Sequence, residues 1–126
     1  LTNMNEQFVK LLSILLSSNT QAQVFHRQTK SFSEHKTLGE YYDEIIELVD
    51  SLTESYQGKY GIVIGYVAFP LISYKDNAAT VAYFTDLCAQ VTELRKSIGQ
   101  DSYIQNQIDS IEELLYQTKY KLVNLK

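Results

Sequence analysis

The chain's only proline and three of its five glycines fall within one stretch, Gly58 to Lys75, which divides the sequence into two helix-forming halves. Apolar residues recur at i+3/i+4 spacing twice on each side of it. The first helix is expected over about Asn5 to Arg27, with Phe8, Leu12, Leu15, Asn19, Ala22 and His26 on one stripe. That stripe starts apolar and ends polar. The second helix has two possible starts, because Ser31-Phe32-Ser33-Glu34 and Thr37-Leu38-Gly39-Glu40 both read as capping boxes. Its core stripe is Leu38, Tyr42, Ile45, Val49, Leu52 and Tyr56, and Gly58 is a natural terminator. The third helix starts at Asp76 or Asn77 and ends before Gly99. Val81, Phe84, Cys88, Val91 and Ile98 face inward, with Arg95 and Lys96 near the C-terminus as the helix dipole prefers. A capping box, Ser102-Tyr103-Ile104-Gln105, opens the fourth, whose stripe is Ile104, Ile108, Ile111, Leu115 and Leu122.

The connections run short, long, short. This predicts an all-α four-helix bundle, one domain over residues 1–126, with a single long central crossover as in ferritin-like proteins. Within the crossover Ile62, Val63, Ile64, Val67 and Phe69 suit a strand by propensity, yet no second strand is available to pair with it. The expectation is a buried crossover, with or without a short helix.

Net charge is −4, so the bulk positive face that duplex binding needs is missing and no nucleic-acid partner is expected. No apolar run is long enough to span a membrane. Leu11–Leu16 lacks a basic start and a small-residue cleavage site, which argues against a signal peptide and for a cytoplasmic protein. Leu1-Thr2-Asn3 ahead of Met4 reads as an upstream extension. The single cysteine, Cys88, cannot form an internal disulfide and reads as a small core residue. Ten tyrosines without a tryptophan suit buried interfaces, where the ring is apolar and the hydroxyl finds a partner.

No phosphate-binding glycine loop, nucleophile elbow or His-Glu-x-x-His pair is present. An intra-bundle di-iron centre needs Glu-x-x-His on two helices. None occurs, and the third helix offers only Asp86 and Glu93. The second helix is different. Glu40, Asp43, Glu47, Asp50 and Glu54 line one face, roughly opposite the core stripe. That face is either simply solvated or a site of metal capture between subunits, since a cation would relieve the mutual repulsion of five aligned carboxylates. His26 and His35 flank the first loop and are the candidate nitrogen ligands.

Over Gln21 to Tyr56 the sequence resembles the Dps family of miniature ferritins. His26 and His35 match the two family histidines, and Asp50 and Glu54 stand fifteen and nineteen residues after His35, as the family's Asp-x-x-x-Glu pair does. Leu38, Tyr42, Leu48 and Val49 are similar as well. Gly39 replaces the acid expected one turn after the second histidine, with Glu40 adjacent, and Arg27 replaces an aromatic. The resemblance implies a homo-oligomer, a dimer or larger. Its metal ligands would be His26 and His35 of one subunit and Asp50 and Glu54 of another, binding iron or another divalent metal and oxidising iron. Most of the chain is also similar to a group of small tailed-bacteriophage proteins, through Thr29-Lys30-Ser31-Phe32, His35-Lys36, Tyr56-Gln57-Gly58-Lys59-Tyr60 and Tyr120-Lys121-Leu122. That likeness implies the host cytoplasm or the virion as its location. Three functions follow as expectations. The first is a Dps-like metal binder. The second is a phage structural or assembly protein without metal chemistry. The third is a nucleotide sponge against host defence, its pocket in the tyrosine-rich stretch Tyr56 to Tyr74.

Overall fold

A computed structural model describes residues 3–126. The opening Leu1 and Thr2 therefore lie outside the described residues. Four helices, α1 (Met4–Gln28), α2 (Phe32–Tyr60), α3 (Asn77–Leu94) and α4 (Ser102–Asn124), account for nearly all regular structure, and a 3-10 turn, Arg95–Ser97, prolongs α3. No strand occurs among the described residues. α1 packs on α2 and α3, and α4 packs on α2 and α3. Cross-links give the directions. Tyr56 on α2 reaches Asn5 on α1, Gln107 on α4 reaches Ser55 on α2, and Arg95 reaches Gln105 on α4. Neighbours are thus antiparallel, and residues 61–76 climb the full height of the bundle to join α2 to α3. The four-helix bundle with one long crossover stands as expected.

Three of the four helices begin where a side chain satisfies a free backbone amide. Asn3 accepts from the amides of Asn5 and Glu6, Ser31 from Glu34, and Asp76 from Ala79. The earlier of the two candidate starts of α2 is therefore the one used. At the other end α2 runs straight through Gly58 and stops at Gly61, whose φ of 95° is open to glycine and strained for other residues. Gly58 is an ordinary helical residue. α4 also departs from expectation: Asp101, not Ser102, holds the cap position, and it makes no capping bond. Its carboxylate is already taken by Lys59 and the Tyr60 hydroxyl at the end of α2.

The core is one contiguous cluster running from Phe8 to Leu122. Phe84, Cys88, Val91, Ile98, Ile104, Ile108, Ile111, Leu115 and Leu122 are buried, as the periodicity predicts, and Val81 is partly so. Of the adjacent tyrosines on α2, the fully buried one is Tyr41 rather than Tyr42. Tyr41 turns into the core because Ser18 meets its hydroxyl at 2.7 Å and Phe84 meets its ring edge-on. Desolvation pushes the Tyr41 phenol far above its usual range, so it acts there as a neutral hydrogen-bonding group. Tyr56 stacks on Phe8 with ring centroids 3.6 Å apart and donates to Asn5, pairing that adds about 1 kcal/mol to the burial of both rings. Burial likewise raises the Cys88 thiol, which sits in the core unpaired.

The crossover is the main correction. It contains no helix, and Val63 is its one fully buried apolar residue. Ile62, Ile64, Tyr66, Val67, Phe69, Leu71 and Ile72 are all exposed. Polar side chains of α1 hold its backbone in place of a partner strand. Ser13 accepts from the amide of Val67, Gln28 accepts from Tyr74, and the Gln21 carboxamide both donates to and accepts from Ile72. Gln21 thus imitates one rung of a sheet.

Candidate functional site

The two histidines meet at the turn between α1 and α2. Their rings stack at 3.6 Å between centroids, 18° from parallel. Nδ1 of His26 lies 2.5 Å from the carbonyl oxygen of His35, and Nδ1 of His35 lies 2.8 Å from that of His26. A carbonyl can only accept, so both Nδ1 atoms donate. In the neutral rings the lone pair is then on Nε2 in each case. Two further contacts fix the His26 ring. Tyr42 meets it edge-on at 5.2 Å, and Gly39 lies beneath it. The polar end of the α1 stripe is thereby explained: Asn19 donates to the carbonyl of Tyr42, and His26 closes the turn.

Asp50 and Glu54 lie on the solvent face of α2, together with Glu40, Asp43 and Glu47. Glu40 is bridged by Lys121 at 3.2 Å. At 1.5 Å per residue, Asp50 is about 22 Å along the helix from His35, so one chain cannot close all four ligands on a single ion. Among the described residues no three His, Cys, Asp or Glu side chains converge on a metal-sized site. The structure therefore brings His26 and His35 together and leaves Asp50 and Glu54 facing outward, open to another molecule.

Next to the histidine turn is a residue the sequence suggested only as part of a capping box. Glu34 is 3% exposed. It does not fold back onto the start of its own helix. One carboxylate oxygen accepts from the Thr29 hydroxyl at 2.8 Å and the Tyr74 hydroxyl at 2.7 Å, and the other accepts from the Asn77 amide at 2.9 Å. Asn77 also donates to the carbonyl of Leu122. The carboxylate gathers the α1–α2 turn, the end of the crossover, the start of α3 and the end of α4 behind the histidine pair. The Glu at the third helical position was visible in sequence, but its long-range partners were not.

The tyrosines of the proposed sponge pocket are mostly committed elsewhere. Tyr56 is in the core, Tyr60 bonds Asp101, and Tyr74 bonds Glu34, which leaves Tyr66 on the open surface. The cavities beside the crossover are shallow and largely apolar. One of about 420 Å³ is lined by Ser13, Leu16, Thr20, Tyr66, Phe69 and Leu71. Another of about 450 Å³ borders Ile64 and Val67, with Glu6 and Lys10 at its rim. No helix among the described residues is long and apolar enough to cross a membrane.

No curated protein and no solved structure matches the chain. A family model does, over residues 26–122, from the first histidine of the stacked pair to the last core leucine of α4. The chain belongs to that family, DUF5856, described as a family of unknown function.

Proposed function

We propose that the chain is an oligomeric ferritin-like protein that binds a divalent metal, iron among the candidates, at a site shared between copies. His26 and His35 of one copy supply nitrogen, and Asp50 and Glu54 of another supply oxygen. The observation that supports this is the anchoring of both imidazoles by Nδ1 on backbone carbonyls. Metal-binding histidines are typically held this way, with the ring oriented and Nε2 left as the ligand. Imidazole combined with carboxylate suits Fe²⁺, Zn²⁺ and Co²⁺. Since α2 separates the two halves of the ligand set, binding requires assembly. The test is thermal denaturation with and without each of these ions. A rise in Tm that His26→Ala or Glu54→Ala removes is expected. Indifference to all three ions would sink the reading.

A second reading, a structural or assembly protein of a virion without metal chemistry, draws its support from the exposed apolar crossover. It expects no metal response and co-purification with particles.

A further inference from the structure

We infer that the crossover is a homodimer interface, in which residues 62–72 of one copy pack on the same residues of a second. This goes beyond the metal reading and involves a different surface, over α1 and α3 instead of the outer face of α2.

The first argument is area. Ile62 and Ile64 are 81% and 84% exposed, and Tyr66, Val67, Phe69, Leu71 and Ile72 lie between 42% and 57%. Together these seven residues, backbone included, expose on the order of 800 Å², about what each partner contributes to a standard stable interface.

The second argument is charge. From Gly61 to Tyr74 there is not one ionisable acid or base besides tyrosine, in a chain of net charge −4 whose α2 face carries five carboxylates. Two copies approach through this uncharged surface without the repulsion that acidic faces impose. Its rim on α1 carries both signs, Glu6 and Lys10, as a surface that must complement itself requires.

The third is the backbone. Between Ile62 and Leu71, among the described residues, side-chain anchors engage only the amides of Val63 and Val67, and no backbone–backbone bond is formed. Backbone outside helices, with donors and acceptors left free, can be completed by a second copy of itself. These groups need partners once an interface excludes water. A two-fold axis through the crossover lets each copy offer the other the same groups.

Sedimentation velocity over a concentration series tests the inference. The wild-type chain is expected to be dimeric. Ile62→Lys with Ile64→Lys changes two side chains that touch little within their own copy, and should weaken the dimer by roughly a hundredfold or more while leaving the helical circular dichroism unchanged. In metal-free buffer, where the proposed metal site joins no copies, Asp50→Lys with Glu54→Lys on the α2 face should leave the dimer intact. As a second readout, Ile64→Cys should give a disulfide-linked dimer under mild oxidation, since Cys88 is buried. A wild-type monomer throughout the series would overturn the inference. So would a dimer that survives the crossover substitutions but is lost on changing Asp50 and Glu54. The metal reading fails separately, through the absence of any thermal shift.

Discussion

Gly39 on α2 lies directly beneath the ring of His26 on α1: a Cβ at Gly39 would stand 3.1 Å from Cε1 and 3.3 Å from Nδ1 of that imidazole. The ring has little room to retreat, because His35 stacks on it and holds its Nδ1. Glycine within a helix ordinarily costs about 0.5–1 kcal/mol relative to alanine. Gly58, also helical and with open space around it, provides the reference. Gly58→Ala is expected to stabilise by about 0.5–1 kcal/mol. Gly39→Ala should gain clearly less or destabilise, and should recover the full gain only in a His26→Ala background. Urea midpoints of the four variants decide this, and equal gains at both glycines would count against a locked ring.

Glu34 behaves as a structural carboxylate with both oxygens in use. Truncation by Glu34→Ala removes the acceptor of the part-buried Thr29 and Tyr74 hydroxyls and one of the two acceptors of the Asn77 amide, for a loss of about 2–3 kcal/mol. Glu34→Gln should cost less but still measurably, because its amide group would confront a donor, either the Asn77 amide or the hydroxyls of Thr29 and Tyr74. Tyr74→Phe, which deletes a single donor, should cost about 1 kcal/mol. The order Ala, then Gln, then Phe in urea denaturation is the expected outcome. A neutral Glu34→Ala would show that the carboxylate is not carrying the junction.

What was legible in the sequence followed the 3.6-residue period. Ile104, Ile108, Ile111 and Leu115 could be placed because a strictly spaced apolar run has one way to face a core. Tyr41 and Tyr42 could not be told apart, since adjacent tyrosines differ by about 100° around the helix and the choice depends on Ser18, twenty-three residues away. Gly58 read as the terminator of the second helix, whereas the backbone gives that place to Gly61, three residues on, with its φ of 95°. The crossover was misjudged because apolar composition was taken for burial, whereas Ser13, Gln21 and Gln28 pin it at the surface. Of the candidate ligands, the histidines flanking a short turn were readable as neighbours. That Asp50 and Glu54 face outward was also readable, but a second copy lies beyond what spacing within one chain can show.

The Asp101–Lys59 pair, at 2.6 Å, gives stability a definite pH profile. Lys59 first, and then Tyr60, hold the Asp101 carboxyl down at about 2. An unfolded aspartate titrates near ~3.9, so between these values the unfolded chain binds more protons and acid favours unfolding. The contribution is complete above about pH 4 and fades as pH falls toward 2. Lys59 is raised, by its bond to Asp101 above all, so its share is full at neutral pH and declines only as pH rises beyond ~10.4. The difference in urea midpoint between wild type and Asp101→Asn should therefore be level across the neutral range and shrink at the acid end. A difference that stays constant down to the acid limit would exclude this ionic contribution.

Gly99 completes that corner. A Cβ there would come within 2.7 Å of the Asp101 carboxylate, 2.8 Å of the Tyr60 hydroxyl and 3.0 Å of the Tyr60 ring. Its φ is not in the left-handed region, so the backbone itself would accept alanine and the obstacle is purely this contact. Both obstructing groups are side-chain ends that can swing away, but only by giving up the hydrogen bond between Tyr60 and Asp101 that joins α2 to the start of α4. Gly99→Ala is accordingly expected to destabilise by about 1–3 kcal/mol. If the loss arises from that displaced bond, it must be non-additive with Tyr60→Phe, which has already removed the hydroxyl. The double variant should then be less destabilised than the sum of the two single ones by about 1 kcal/mol. Strict additivity would mean that the close approach of Gly99 and the tyrosine–aspartate bond are independent, and that something other than this contact requires the glycine.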